Sequence, residues 1–493
     1  MKSAKRRRFV RGATAALLSH VVSPVIYANS SHAQRLSGDK YNVLLITVDD
    51  MDSESTGLFA DKNAHLTPNI NGLGERGVAF KLSHVAISEC WPSRTAIFTG
   101  RLPHRNGTTT FKPIDPDILV LPKILQDTGY LTGLAGKSSH TLPTKRHVFN
   151  HIYPGEATRY GRDPDAFHLV TRNFIERAQK RGKPFFLNLN IEDPHRPFLG
   201  SPADRDVGVM LRNFLEKIDP FELGFLKVRP AGSLIFDPDS VHLPGFLPDL
   251  PEIRMEMAAY YGSVARADRS VGRILEALQN TGAAENTVIV FLSDNGIHMP
   301  FGKANVYPAS TLASLVIYVP FYSGKTGVRD EYFVSSLDIF PTILDLLGIE
   351  PVRYTDGRSL HPLFLGSESW GTNHCFTYRY LYPMRAVHTK RYTYIYNAWS
   401  DGQTKFQNFF ISNPSAIAIK NRSKDDPEML KRYKHFLYRE KEELYDTVRD
   451  PYCLDNIISE KNKSATLSHM RDELYRQMKR TDDNLTFEFE NTI

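Results

Sequence analysis

One short stretch concentrates residues able to do chemistry: Cys90-Trp91-Pro92-Ser93-Arg94, followed by Thr99-Gly100-Arg101. Pro92 suits the first turn of a helix, with Ser93 or Arg94 in the same turn. Cys90 then stands just before a helix N-terminus, where backbone N–H groups favour an anion. A lone cysteine is more often a buried structural one, so its role depends on what is gathered around it. Four other places carry polar groups just after an apolar run: Asp49-Asp50, Gly136-Lys137-Ser138-Ser139-His140, Glu192-Asp193-Pro194-His195-Arg196 and Asp294-Asn295-Gly296. Each has an ordinary alternative: adjacent acids cap helices, a lysine is usually solvated, and a histidine after a turn is often only a cap. Asp49, Asp50, Asp294 and Asn295 offer oxygen ligands alone, which suits a hard divalent ion, calcium before magnesium, better than zinc.

The elements that must position these groups are legible. Asn42 to Val48 is a continuous apolar run of strand length, the kind buried on both faces of a parallel sheet. Pro184 to Ile191, Thr287 to Ser293 and Leu131 to Ala135 read as three more strands. Four strands, each delivering polar groups past its carboxyl end, are what an open doubly wound α/β sheet presents at its ligand crevice. Helices fill the gaps: from Thr67-Pro68 to Arg76 with Gly77 as stop, Leu121 to Asp127 stopped by Gly129, and Glu252 to Asn280 with an apolar stripe and Gly282 at its end. Asp338 can cap Ile339 to Leu347. Gly200 to Pro251, rich in Pro, Gly and Asp, reads as a long surface excursion that could border a cleft. Beyond Pro351 the character changes. Cys375 to Tyr380 and Arg385 to Tyr396 suggest a small antiparallel sheet, with helices over Asp426 to Tyr438 and Ala465 to Arg480.

Cys-x-Pro-Ser-Arg with a downstream Thr-Gly-Arg resembles the signature of the type I sulfatases. The resemblance covers nearly all of Tyr41 to Asp482. It is nearest to the N-sulfoglucosamine sulfohydrolase (sulfamidase) branch, through Asp193-Pro194-His195-Arg196, Ser293-Asp294-Asn295-Gly296-Ile297 and Tyr382-Pro383-Met384-Arg385. Glu443-Leu444-Tyr445-Asp446 and Arg449-Asp450-Pro451 also fit and read as structural. The resemblance implies an alkaline-phosphatase-like fold: a doubly wound mixed sheet flanked by helices over 41–350, and a smaller C-terminal α+β subdomain over 351–493. It implies that a maturation enzyme oxidises Cys90 to formylglycine, whose hydrate attacks sulfur with one hydroxyl and expels sulfate by collapse of the other. It implies one calcium ion on Asp49, Asp50, Asp294 and Asn295, beside residue 90. Arg94 would bond the hydrate and offset the carboxylates. Lys137, His195 and Lys303 would donate to the sulfuryl group, His195 or Lys303 would protonate the leaving atom, and His140 would be the base. Arg385 is a candidate partner for a second anionic group on the substrate. Three departures stand out. The family spaces its lysine and histidine as Lys-x-His, whereas Lys137 and His140 are three apart. Either a bulge brings His140 in or Ser139 takes the base position, with His147 a further stand-in. Asn305-Val306-Tyr307-Pro308 replaces the Glu-Gly-Gly-x-Arg of many sulfatases, and Phe98 stands where an aliphatic residue is usual.

At 493 residues the chain favours two domains, and 41% hydrophobic content excludes a disordered one. A net charge of +6 is compatible with an anionic substrate and gives no argument for nucleic acid. Three cysteines exclude a disulfide scaffold. Residues 1–33 read as an export signal: Arg6-Arg7-Arg8-Phe9-Val10-Arg11 resembles a twin-arginine motif, the apolar run is too short for a stable span, and Ser31-His32-Ala33 offers a cleavage site. The expected substrate is a sulfated saccharide, cut at a sulfate ester or sulfamate; the oligomeric state stays open. Two rival readings are a phosphoesterase of the same superfamily, which would want a Ser or Thr nucleophile and more histidine ligands, and a non-catalytic glycan binder with Cys90 unmodified.

Overall fold

In the computed structural model the described residues are 40–493, without 142–146, 202–203, 205–234, 351, 353, 368–370 and 408–411. The export signal and most of the Gly200–Pro251 excursion therefore lie outside the described residues.

Eight strands form a mixed sheet: β1 (Asn42–Val48), β2 (Val78–His84), β3 (Leu131–Ala135), β4 (His151–Ile152), β5 (Phe185–Asn190), β6 (Thr287–Ser293), β7 (Leu315–Tyr318) and β8 (Gly327–Ser335). The order is β4-β3-β5-β1-β6-β7-β2-β8. The strands β4 to β6 of that order run parallel, while β7 is antiparallel to both β6 and β2. The four strands with polar groups past their ends, β3, β5, β1 and β6, are contiguous at its centre. Their unbroken apolar runs follow from cover on both faces. Leu44, Ile46 and Val48 enter one core, and Val43 and Leu45 the other. The first core is roofed by α1 (Pro68–Arg76) and two later helices, Pro164–Lys180 and Pro251–Asn280. The second holds Ile97 and Phe98 of α2 (Cys90–Thr99) and Leu121 and Leu125 of α3 (Leu121–Asp127).

The later part adds an antiparallel sheet of β9 (His374–Arg379), β10 (Met384–Thr389), β11 (Tyr392–Asn397) and β12 (Glu442–Asp446), ordered β12-β11-β10-β9. Val387, Tyr394 and Leu444 pack there on Met470, Leu474 and Met478 of the helix Ser464–Arg480.

The helix Pro164–Lys180 and strands β2, β7 and β8 were not anticipated from sequence. β8 is mostly exposed along its first residues, so its pattern is polar and unlike a core strand. The helix did carry a start signal, Asp163-Pro164, and the Asp163 side chain accepts from the Ala166 N–H. Gly77 ends α1 without a left-handed turn; a Cβ there would come within 2.7 Å of the Ile317 carbonyl.

Candidate active site

Cys90 is the first residue of α2, with Glu89 as N-cap, so the expected boundary shifts by one residue. The Ser93 hydroxyl donates to the Asp294 carbonyl at 2.6 Å, which sets the first turn of α2 against the end of β6. Asp49 and Asp50 follow β1. In an extended chain neighbouring side chains would diverge to opposite faces. Asp50 instead adopts φ 68°, a left-handed conformation, and both carboxylates join that of Asp294 within one cluster less than 4.8 Å across.

Arg94 ties the cluster together from the next turn of α2. Its Nε donates to Asp294 Oδ2 at 2.8 Å and Nη2 to Asp49 Oδ2 at 3.2 Å. Nη1 donates to Thr47 Oγ1 at 2.8 Å and Asn190 Oδ1 at 2.5 Å. Lys137 Nζ lies 2.6 Å from Asp49 Oδ2 and 3.2 Å from Glu192 Oε1. Lys303 Nζ pairs with Asp50 Oδ1 and sits 3.6 Å from Asp49 Oδ1. Asn295 donates from Nδ2 to Asp50 Oδ1 at 2.6 Å. His195 Nε2 faces Asp50 Oδ2 at 3.8 Å, while its Nδ1 meets the Arg196 carbonyl at 2.6 Å, which assigns the proton to Nδ1.

The three-residue spacing from Lys137 to His140 is absorbed by a tight turn. Gly136 has φ 72° and Lys137 φ 44°, and the His140 N–H donates to the Lys137 carbonyl at 2.9 Å. The imidazole comes back toward α2, with Nδ1 3.6 Å from Cys90 Sγ. Ser139 and His147 are exposed. Gly136 is required here, because a Cβ would meet the Asn190 carbonyl at 2.0 Å.

Burial and neighbouring charge set the protonation states. Burial alone would raise Asp49, but Lys137, Lys303, His195 and Arg94 outweigh it and hold the carboxyl well below its usual range. Asp50 is likewise lowered against its burial, chiefly by Lys303. Asp294 goes the other way, to about 7, through burial and the charges of Asp49 and Asp50. Burial, with Lys137 and Arg94, lowers His140 to about 4, so its imidazole is neutral at neutral pH. Burial raises the Cys90 thiol to about 11 despite Lys303 and Lys137. As a plain thiol, Cys90 is thus a poor nucleophile.

Two donor sets could hold a metal: Asp49, Asp50 and Asp294, or Asp50, His195 and His298. The first fits better. Asp49 Oδ1 and Asn295 Oδ1 are buried and accept no hydrogen bond, so the carboxylate set has spare acceptors. In the second, His195 Nδ1 is engaged at the Arg196 carbonyl and His298 Nδ1 contacts Asp50 Oδ2 at 2.8 Å. An all-oxygen set suits a hard divalent cation.

Arg385 is a correction. It is 1% exposed and forks onto Asp483, with Nε 2.5 Å and Nη2 2.9 Å from the carboxylate oxygens. Its Nη1 donates to the carbonyls of Arg379 and Met384. Every nitrogen is committed to the fold of the small sheet, so none is offered to a substrate anion. Three participants were not singled out from sequence: His298, Thr47 and Asn190. Asn190 had a signal, since Asn188 and Asn190 are amides inside an apolar strand and need buried partners.

A mixed α/β sheet with a carboxylate cluster at its central strand ends, beside a residue that opens a helix, is an alkaline-phosphatase-like fold. The comparisons agree. A sulfatase family model matches residues 41–349. The human N-sulphoglucosamine sulphohydrolase is 30% identical over 471 residues, covering 90% of each chain. A structure described as a complex with D-glucosamine-2-N,6-O-disulfate superposes with TM-score 0.65 at 20% identity, over 90% of this chain and 99% of the other. The phosphonate monoester hydrolase of Agrobacterium radiobacter follows at 0.62 and 20%, over 90% and 96%. The chain belongs to the sulfatase family and is an enzyme of that class.

Proposed function

We propose that this enzyme hydrolyses a sulfate ester or sulfamate of a glycosaminoglycan-type saccharide, N-sulfoglucosamine foremost, with Cys90 oxidised to formylglycine and one calcium ion. The observation that carries this is the three-carboxylate cluster with Asn295, in which Asp49 Oδ1 and Asn295 Oδ1 accept no hydrogen bond, beside a residue whose own thiol is held protonated. The substrate class draws on the 30% identity to the human sulphohydrolase.

Asp49, Asp50, Asp294 and Asn295 would hold the calcium, which supplies charge neutralisation for the sulfuryl oxygens when bound. The hydrated aldehyde would supply the attacking oxygen at residue 90 that a thiol cannot. The remaining steps fall to the chain's own groups. Neutral His140 accepts a proton at Nδ1 from the residue 90 side chain. Lys137 and Lys303 bring positive charge to the sulfuryl group from opposite ends of the Asp49–Asp50 pair. His195, with Nδ1–H fixed on a carbonyl, presents Nε2 to the leaving nitrogen or oxygen as the group that protonates it.

Sulfate release from N-sulfoglucosamine and from 3-O- and 6-O-sulfated glucosamine tests the reading, with mass measurement across Cys90 to establish conversion. Release from the N-sulfated sugar is expected. Converted, calcium-loaded enzyme that freed no sulfate from any of them would overturn it. We further propose export by the twin-arginine route in folded form; Arg6→Lys with Arg7→Lys should retain the enzyme inside the cell, as fractionation would reveal.

Among the described residues no helix is long and apolar enough to cross a membrane. Cys90, Cys375 and Cys453 are all free thiols in the structure.

A further inference from the structure

The rings bordering the nucleophile have no part in the chemistry above. Trp91 follows Cys90 on α2 and is half-buried. Its ring lies 6.0 Å from that of His140, with 28° between their planes. Phe111 stands edge-on to Trp91 at 5.8 Å and 90°, and lies 6.1 Å from His140. Packing against His140 accounts for Trp91. It does not account for Phe111, which is 52% exposed. Among the described phenylalanines only Phe487, on the short C-terminal helix, is more exposed.

Phe111 is not on a frayed segment. The loop that carries it is closed at its base by the Asp115 N–H on the Asn106 carbonyl at 3.1 Å, and the Thr108 N–H donates to Asn106 Oδ1 at 2.9 Å. Ile114, three residues on, is buried in the second core. A rigid loop therefore holds an aromatic ring in water at the edge of the catalytic groups. Exposed apolar rings beside a site mark a ligand surface. The carbon-bound hydrogens of a pyranose face offer a flat, weakly positive surface, complementary to the negative face of an aromatic ring.

We propose that the Phe111 ring, met edge-on by Trp91, is a stacking platform for a saccharide, and that the platform takes the second sugar, next to the one bearing the scissile group. This rests on the sulfatase reading above. The rings border Cys90 and His140, whereas the group that meets the leaving atom, His195, borders Asp50. The sugar attached to the leaving atom is drawn to the Asp50 side, which leaves the rings for its neighbour. Phe111 is thus a specificity-determining residue that favours longer substrates.

Phe111→Ala tests this on N-sulfoglucosamine and on heparan-type di- and tetrasaccharides N-sulfated at the non-reducing end. The KM of the disaccharide should rise about tenfold, as expected for losing most of one ring's burial. Its kcat should stay within about twofold, and the monosaccharide KM should hardly move. Phe111→Tyr should restore the disaccharide KM. In a Cys90→Ala background, calorimetric binding of the disaccharide should weaken by the same factor when Phe111→Ala is added. Equal disaccharide affinity with and without the Phe111 ring overturns the platform, whatever the turnover. Absence of sulfate release from the parent enzyme, with disaccharide binding still dependent on Phe111, instead overturns the hydrolytic reading alone.

Discussion

Two arginines, Arg94 and Arg385, are each about 1% exposed and each bound to carboxylate, yet their surroundings differ. Arg385 and Asp483 close on one another. Both carboxylate oxygens accept, one of them also from the Leu485 N–H, and the remaining guanidinium nitrogen takes two carbonyls. Arg94 is equally saturated, but the carboxylates around it are not. Asp49 keeps an oxygen without a donor, and burial with the neighbouring acids lifts Asp294 to about 7. A buried ion pair that serves the fold balances itself. A buried cluster that serves a ligand keeps acceptor oxygens that its own donors leave unengaged, and those oxygens are its binding capacity.

The contrast can be broken at several points. Cys90→Ala should abolish sulfate release, by about a thousandfold or more, while circular dichroism and thermal unfolding stay those of the parent. Retained turnover would remove the nucleophile from the scheme. Asp294→Asn should cut kcat/KM by about two orders of magnitude. Calcium should raise the thermal midpoint of the parent, and this shift should vanish in the variant.

Arg385→Ala should act on stability. Leaving Asp483 buried and alone costs about 3–5 kcal/mol, measurable by urea unfolding. Arg385→Met combined with Asp483→Leu should recover most of it, with the KM for singly and doubly sulfated sugars unchanged. A selective rise for the doubly sulfated sugar would return Arg385 to the substrate.

The last effect concerns pH and is spread over several pH units. His84 and His388 stack at 4.4 Å between β2 and β10, and burial lowers His388 to about 3. Its folded value lies below the unfolded one of 6.5, so the unfolded chain binds the extra proton between them. The stability it contributes is present above pH 6.5 and is lost as pH falls toward 3, at up to about 1.4 kcal/mol per pH unit. His388→Phe should flatten the acid side of the stability profile by that slope. An unchanged slope would mean that His388 titrates freely in the folded protein.

The central strands were legible because parallel strands covered on both faces must be apolar throughout, and polar residues then mark their ends. The carboxylates, Lys137, His140, His195 and Lys303 all follow such runs or sit in the adjoining motif, and the structure gathers them. Arg385 was misread because its partner, Asp483, lies 98 residues away in the sequence, and no local pattern links the two. His298 was passed over because its contact with Asp50 depends on the loop after β6 folding back across 248 positions. Edge strand β8 was hidden by its exposure, since a strand without cover has no apolar signature.

The hairpin-tight bend at Gly136 and Lys137 means that the gap between a cation and an imidazole in the sequence is free to drift while their spatial appointment is kept. Searches that demand one fixed interval would pass over chains like this one. The safer guide is the small residue at the strand's end, pressed against the neighbouring backbone, which makes the detour possible.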